Sequence, residues 1–170
     1  MSDTTKPDAA RFDASRPVLC LASASPRRRD LLASIGVAVE VHPVDIDETP
    51  LPDESAAAYV SRLACEKALV GASLSTLPTL GSDTAVVCDG EILGKPEGSE
   101  HAASMLRRLA GRAHEVLTAV TVSGPAGVMT FCVSTRVTMR EIAEDEIAAY
   151  WASGEPADKA GGYAIQGLAA

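Results

Sequence analysis

The chain has 170 residues, 46% of them apolar, and carries 15 basic against 23 acidic side chains, for a formal net charge of −8. That length supports one domain with a real core, or two small lobes sharing a sheet. The acidic balance argues against a general nucleic-acid or membrane-surface binder, which needs a chain-wide basic excess, and no apolar run approaches the length of a membrane span.

Residues 1–16 are polar and aperiodic, without the apolar stretch of a signal peptide, and read as a disordered tail. Pro17 to Leu21 is short, apolar and β-prone and reads as a buried strand; Arg27 to Ile35 followed by Gly36 reads as a helix with its stop signal. Ser25 falls at the N-cap and Pro26 at the first helical position, where a missing N–H costs nothing. Arg27, Arg28 and Arg29 then occupy the first turn, where the positive end of the helix dipole disfavours cations by roughly 0.3–1 kcal/mol each. A bound anion would reverse that sign. Free N–H groups, the Ser23 and Ser25 hydroxyls and guanidinium forks at one helix start are what a phosphate needs. A solvated basic turn with a good cap is the alternative.

Val37 to Val44 alternates in the manner of a half-buried strand and leads into Asp45-Ile-Asp-Glu48, a solvated loop or a set of oxygen ligands for a divalent cation. From about Asp53 to Leu74 the composition is helical, with Tyr59, Val60, Leu63 and Val70 at core spacing. Lys67 belongs to that stripe. An ammonium there either snorkels to solvent or needs a partner. Arg62 and Glu66, at i and i+4, read as a surface pair.

Asp89-Gly90 between two apolar runs predicts a two-residue hairpin. Counting outward pairs Cys88 with Glu91, Val87 with Ile92, Val86 with Leu93 and Thr84 with Lys95. Asp83 lies at the same open end, but in a regular ladder it faces the other way, so a meeting with Lys95 requires the strand to end or bulge. A third helix runs from about Glu100 to Ala110, with Ser99 as cap, Gly111 as stop, and Met105, Leu106 and Leu109 inward. Two β-rich runs follow, His114 to Val122 and Val128 to Met139, joined by a Gly/Pro turn; His101 and His114 have no ligand-spaced partner and read as structural. Glu144 to Ala152 is a fourth helix with Ile147, Tyr150 and Trp151 inward, and Ser153 to Ala170 is a glycine-rich loop approaching Gln166. The cysteines, Cys20, Cys65, Cys88 and Cys132, lie in apolar segments with no Cys-x-x-Cys pair and read as buried free thiols of a cytoplasmic protein.

Taken together, Ser23-Ala-Ser-Pro-Arg-Arg28, Glu48, Glu66-Lys67-Ala68, Ser82-Asp-Thr-Ala-Val86, Gly90-Glu-Ile-Leu-Gly-Lys-Pro96 and Ala160-Gly-Gly-Tyr-Ala-Ile-Gln-Gly167 resemble the Maf family of nucleoside triphosphate pyrophosphatases, in order and spacing, over residues 17–170. The resemblance implies an α/β, inosine-triphosphatase-like fold: an elongated mixed sheet flanked by helices, with a nucleotide cleft between two lobes. It implies one domain over 17–170 that lacks the family's C-terminal end, and it is compatible with a homodimer. It implies hydrolysis of a nucleoside triphosphate to monophosphate and pyrophosphate with a divalent cation, Mg²⁺ or Mn²⁺. Arg27, Thr84 and Gln166 resemble the branch acting on dTTP and UTP.

On that basis Asp83 orients and deprotonates the water or ligates the metal, and Glu48 shares the metal. Arg27, Arg28, Lys67 and Lys95 neutralise the leaving pyrophosphate, while Gln166 reads the pyrimidine edge. The rival from another class is a non-catalytic nucleotide-binding regulator linked to cell division; a weaker one is a phosphatase acting on small phosphate esters.

Overall fold

The computed structural model describes residues 16–169; the expected N-terminal tail therefore lies, but for Arg16, outside the described residues. Ten strands and helices follow in the order β1 (Leu19–Leu21), α1 (Pro26–Ser34), β2 (Val39–Val41), α2 (Ala56–Ala72), β3 (Thr79–Cys88), β4 (Glu91–Leu93), α3 (Ser99–Leu109), β5 (Ala113–Gly124), β6 (Gly127–Thr138) and α4 (Glu144–Ala152). Two 3₁₀ turns, Glu155–Asp158 and Ala160–Gly162, end the regular structure.

The strands form one mixed sheet in the order β2-β1-β3-β5-β6, with β4 paired to β3 beside that path. The β1 pairings to β2 and β3 are parallel and all the others antiparallel. Long β3 is the spine, because both of its edges are used: one by β5 along nearly its whole length, the other by β1 near its start and β4 near its end.

Strand alternation sends odd and even residues of β3 to opposite faces. Ala85 and Val87 pack with Val60 and Ala64 of α2 and with Leu117 and Ala119 of β5. Val86 and Cys88 pack instead with Leu93 and with Leu109 of α3. The core is thus two layers separated by the sheet, one under α2 and one under α3.

Turn chemistry holds closely. The Asp89-Gly90 hairpin has positive φ at both residues, +53° and +81°, as the mirror-image turn demands, and its register pairs Val86 with Leu93, Val87 with Ile92 and Cys88 with Glu91. The ladder stops there. Thr84 does not face Lys95 as the counting predicts; its strand partner is Thr118 of β5, and their hydroxyls lie 3.1 Å apart. With Pro96 two residues ahead of Gly94, the second strand cannot continue its donor pattern and leaves the sheet.

Other expectations are corrected locally. Val39–Val41 alone of the run 37–44 is strand. Ser99 is the first residue of α3, not its cap, which is Gly98. Val70 is 41% exposed because it lies off the buried stripe of α2, which runs through Val60, Leu63, Ala64, Lys67, Ala68 and Gly71. Ile147 is buried, but Tyr150 and Trp151 only half so. All four cysteines are free; Cys20 and Cys88 are buried, Cys65 is half-buried, and Cys132 is exposed, since β6 is the outermost strand.

Candidate active site

Lys67 is brought to Asp83 by small residues. Gly81 lies two residues before Asp83 on the same face of β3, and any Cβ there would run into the backbone of Ala64 and Ala68. Lacking one, β3 lets α2 approach to backbone contact, and Ala64 and Ala68, both fully buried, complete the close fit. Lys67 sits between them in the buried face, 8% exposed. Its ammonium donates to Asp83 Oδ1 at 2.7 Å and lies 2.6 Å from Glu48 Oε1. The expected partner therefore exists, and it is a pair of carboxylates. A buried ion pair of this kind is weak evidence for stability, because desolvation offsets the attraction, and that makes the cluster a candidate site.

Glu48 comes from an irregular loop that α2 fastens from below. The Tyr59 hydroxyl donates to Glu48 O at 2.9 Å. Arg62 Nη2 donates to Thr49 O at 3.1 Å, and its Nε and Nη2 donate to the two carboxylate oxygens of Glu54 at 2.7 and 2.8 Å. That fork holds the Glu54 carboxyl down at about 2. The expected surface pair Arg62–Glu66 is present but longer, at 3.5 Å. Asp47 accepts from Thr49 N–H at 2.9 Å and shapes the turn, so of the acidic run only Glu48 reaches the lysine. Burial pushes the Tyr59 hydroxyl pKa up, and the charges of Asp83 and Glu48 push the same way. Tyr59 and the Glu54–Arg62 clamp were not identifiable from sequence as parts of the site; only their spacing on the Lys67 face of the helix hints at it.

The serine-arginine turn lies beside this cluster. Ser25 is the N-cap and Pro26 opens the helix, as expected, yet the Ser25 side chain makes no capping bond and the first turn contains no acid. The leading N–H groups of α1 are thus left without a side-chain acceptor. The Ser23 hydroxyl, 8% exposed, accepts from Arg28 Nη1 at 3.0 Å and from Ser25 N–H at 3.2 Å. Burial lowers the pKa of Arg28, while the charges of Asp83 and Glu48 oppose that shift and Arg27 adds to it. Arg28 is therefore within electrostatic reach of the acid pair, and Arg27 of Arg28. Arg27 is exposed.

Thr84, Lys95 and Gln166 are not drawn into the ion-pair cluster. β3 stays paired residue by residue with β5 through Asp83 and Thr84, so no bulge turns the two to one side. Asp83 faces α2, and Thr84 faces the layer of Val86 and Cys88. Lys95 is exposed, and among the described residues no ion pair joins it to Asp83.

Gln166 is exposed too, but the chain around it is anchored: Glu155 accepts from Tyr150 Oη at 2.7 Å and from Leu168 N–H at 3.0 Å. Gly167 permits this, since a Cβ there would collide with the Glu155 carboxylate. The same segment folds back on the hairpin. Gly161 N–H donates to Gly94 O at 2.9 Å, and a Cβ on Gly161, whose φ is +68°, would press on Val86. Lys159, whose side chain is only 13% exposed, pairs with Asp158, and the charge of Arg27 reaches that carboxyl. The C-terminal segment thereby comes within electrostatic range of Arg27. His114 is buried, with Nε2 2.6 Å from Tyr163 Oη, while its Nδ1 has no partner among the described residues.

Asp83 and Glu48 share an ammonium, and among the described residues no group of three acidic, histidine or cysteine side chains comes together as a metal cage. Two carboxylates suit a cation that Mg²⁺ or Mn²⁺ chemistry completes with phosphate oxygens and water. The donor set fits a metal carried by the substrate. A cavity of about 670 Å³ between α3, α4 and the end of β6 is lined by Val137, Met139, Ile147 and Tyr150 among others, and by none of the residues named above as site candidates.

No helix among the described residues is long and apolar enough to cross a membrane. Among solved structures, the Staphylococcus aureus Ham1 protein matches with a TM-score of 0.52 at 17% identity, covering 74% of this chain and 72% of that one, which is a likeness of fold. Two curated proteins named dTTP/UTP pyrophosphatase, from Shigella dysenteriae serotype 1 (strain Sd197) and Escherichia coli O157:H7, are each 51% identical over 152 residues, covering 88% of this chain and 77% of theirs. The profile of the family described as Maf-like protein matches residues 18–170, and with these relatives and this fold the chain belongs to the Maf family.

Proposed function

We propose that this protein hydrolyses dTTP and UTP between the α- and β-phosphates, releasing the monophosphate and pyrophosphate and so removing those nucleotides from the pool. The observation that carries the reading is the Lys67 ammonium held between Asp83 and Glu48 beside the uncapped, arginine-rich start of α1. The names of the 51%-identical relatives support the same substrates. The net charge of −8 favours a mononucleotide over a nucleic acid as partner, and the free thiols favour the cytoplasm. A homodimer is part of the same reading.

Attack on the α-phosphorus needs a positioned water that loses a proton, cations for the phosphate oxygens, and a leaving pyrophosphate whose charge is met as it develops. Asp83 holds Lys67 through Oδ1 in the free protein; once the lysine has moved to the phosphates, the carboxylate orients the water and takes its proton. Arg27 and Arg28, with the α1 N–H groups and the Ser23 and Ser25 hydroxyls, bind the β- and γ-phosphates. Lys67, once released from the carboxylates, and Lys95 and Thr84 from the far face meet the chain of phosphates and the nucleoside. Glu48 and Asp83 would hold the divalent cation, which supplies Lewis-acid neutralisation of phosphate oxygens when bound.

Gln166 offers a donor and an acceptor to the imide of thymine or uracil. Cytosine has an amino donor where they have a carbonyl and lacks their imide N–H, so a fixed Gln166 should disfavour CTP by about tenfold or more.

A panel of nucleoside triphosphates with Mg²⁺ or Mn²⁺, scored for pyrophosphate, tests the reading. Pyrophosphate from dTTP and UTP, with CTP at least about tenfold slower and the gap narrowed in Gln166→Glu, is the expected result. Orthophosphate as sole product would make the protein a phosphatase, and no product would leave a binding protein.

A further inference from the structure

We infer that Lys67 occupies the cation position of the Glu48–Asp83 pair in the free protein, so that the divalent metal enters only together with a triphosphate and never ahead of it. The inference rests on the metal-dependent reading above and adds an order of binding and a second task for the lysine.

Three observations lead there. The ammonium lies 2.6 Å from Glu48 and 2.7 Å from Asp83, bridging the two carboxylates that the metal would need. Lys67 and Asp83 are 8% and 9% exposed, so a free metal that displaced the ammonium would leave a buried cation without a partner and close to a second, stronger one. Two neighbouring acids are engaged elsewhere, Asp47 with Thr49 N–H and Glu54 with Arg62, whose bond to Thr49 O together with that of Tyr59 to Glu48 O ties down the loop. A metal arriving alone would therefore find two carboxylates already sharing one ammonium and, among the described residues, no third ligand beside them.

A triphosphate changes each of these points together. Its oxygens complete the coordination that two carboxylates cannot. They also give the displaced ammonium a new anionic partner a short swing of its side chain away, so that no buried charge is stranded. In exchange the two carboxylates trade a monovalent for a divalent cation, and the lysine moves onto the group that will carry charge in the reaction. Arg28, held on Ser23 next to this cluster, stays with the phosphates throughout.

Mn²⁺ binding, followed by loss of the free-ion paramagnetic resonance signal, tests the inference on the full chain. Mn²⁺ alone should bind the wild type weakly, Lys67→Met at least about tenfold more tightly, and Lys67→Arg, which keeps the charge, as weakly as the wild type. Lys67→Gln serves as a second neutral variant, and circular dichroism reports whether each is folded. A folded neutral variant that binds Mn²⁺ no better than the wild type would overturn the inference, as would a wild type that takes Mn²⁺ equally well without nucleotide. A parallel titration of the wild type with a non-hydrolysable dTTP analogue separates the two levels. No protein-dependent Mn²⁺ uptake even then would remove the metal from the proposed function, whereas uptake there with no gain in the neutral variants would remove only the place-holding lysine.

Discussion

The two faces of β3 are built to different rules. On the α2 face, Asp83 is 9% exposed, its ammonium partner 8%, and the helix that delivers that partner is pressed to backbone contact on Gly81. On the other face Thr84 is half-buried against Thr118, while Lys95 and Gln166 are exposed, on stretches that leave the regular structure. One face sets Lys67 and Asp83 in place by close packing; the other anchors the backbone and leaves the Lys95 and Gln166 side chains exposed. Such a division suits a reaction in which the phosphates are common to every substrate and the base alone varies. Precision is needed where the bond breaks, and adaptable hydrogen bonding where the base is read.

Three changes break or sharpen that contrast, in decreasing order of effect. Asp83→Asn keeps the shape and the acceptor for Lys67 but not the proton affinity, so turnover should fall by on the order of a thousandfold while analogue binding, measured by calorimetry, stays within a few-fold. Near-wild-type turnover would end the assignment of Asp83 as base.

Gly81→Ala acts on the packing alone. The new methyl would meet Ala64 and Ala68 backbone, which cannot rotate away as a side chain can. Overpacking of this kind costs about 1–3 kcal/mol. A lowered melting temperature should accompany the loss of activity, with the ratio of the residual UTP and CTP rates unchanged because the base-reading face is untouched. A shift in that ratio would show that the faces are coupled.

The smallest effect concerns the loop that presents Glu48. Glu54 has its pKa lowered from 4.5 to about 2 by the Arg62 fork, so its ion pair adds stability above the unfolded value. That contribution is lost as the pH falls from about 4.5 through about 2. Wild type and Arg62→Ala should therefore differ in melting temperature at neutral pH and converge on acidification. A constant difference down to acid pH would mean that Arg62 acts through its bond to Thr49 O or through its guanidinium, which lies 5.7 Å from the centre of the Tyr59 ring, and not through Glu54.

Much of this molecule is local, and that part could be read. The Asp89-Gly90 turn set the hairpin register for three pairs, and Gly36 and Gly111, with φ of +77° and +69°, stop their helices as glycines do. The apolar spacing of α3 and α4 located both helices to within a residue or two. The arginine-rich start of α1 was legible as cations misplaced against a helix dipole, and Lys67 as an ammonium on a buried stripe that needed a partner. The identity of that partner was not legible, nor were the Tyr59 and Arg62 fastenings, because each joins segments far apart in the chain. The expected meeting of Thr84 with Lys95 failed for a related reason. Counting from a turn assumes that the ladder continues, and β4 ends at Leu93.

By itself, then, the amino-acid sequence determined where the chain turns, caps and alternates, since those outcomes depend on the conformational preferences of neighbouring residues. Alternation even required Asp83 and Thr84 to diverge unless the strand broke. Whether it broke, and which charged side chains would stand opposite Asp83, only the tertiary structure decided. β5 pairs with β3 straight through both residues, keeping them on opposite faces, and α2 settles on Gly81 closely enough to set Lys67 between two carboxylates drawn from separate segments. Contacts of that kind depend on the approach of whole elements, which close packing sets across the core and no short stretch of chain encodes alone.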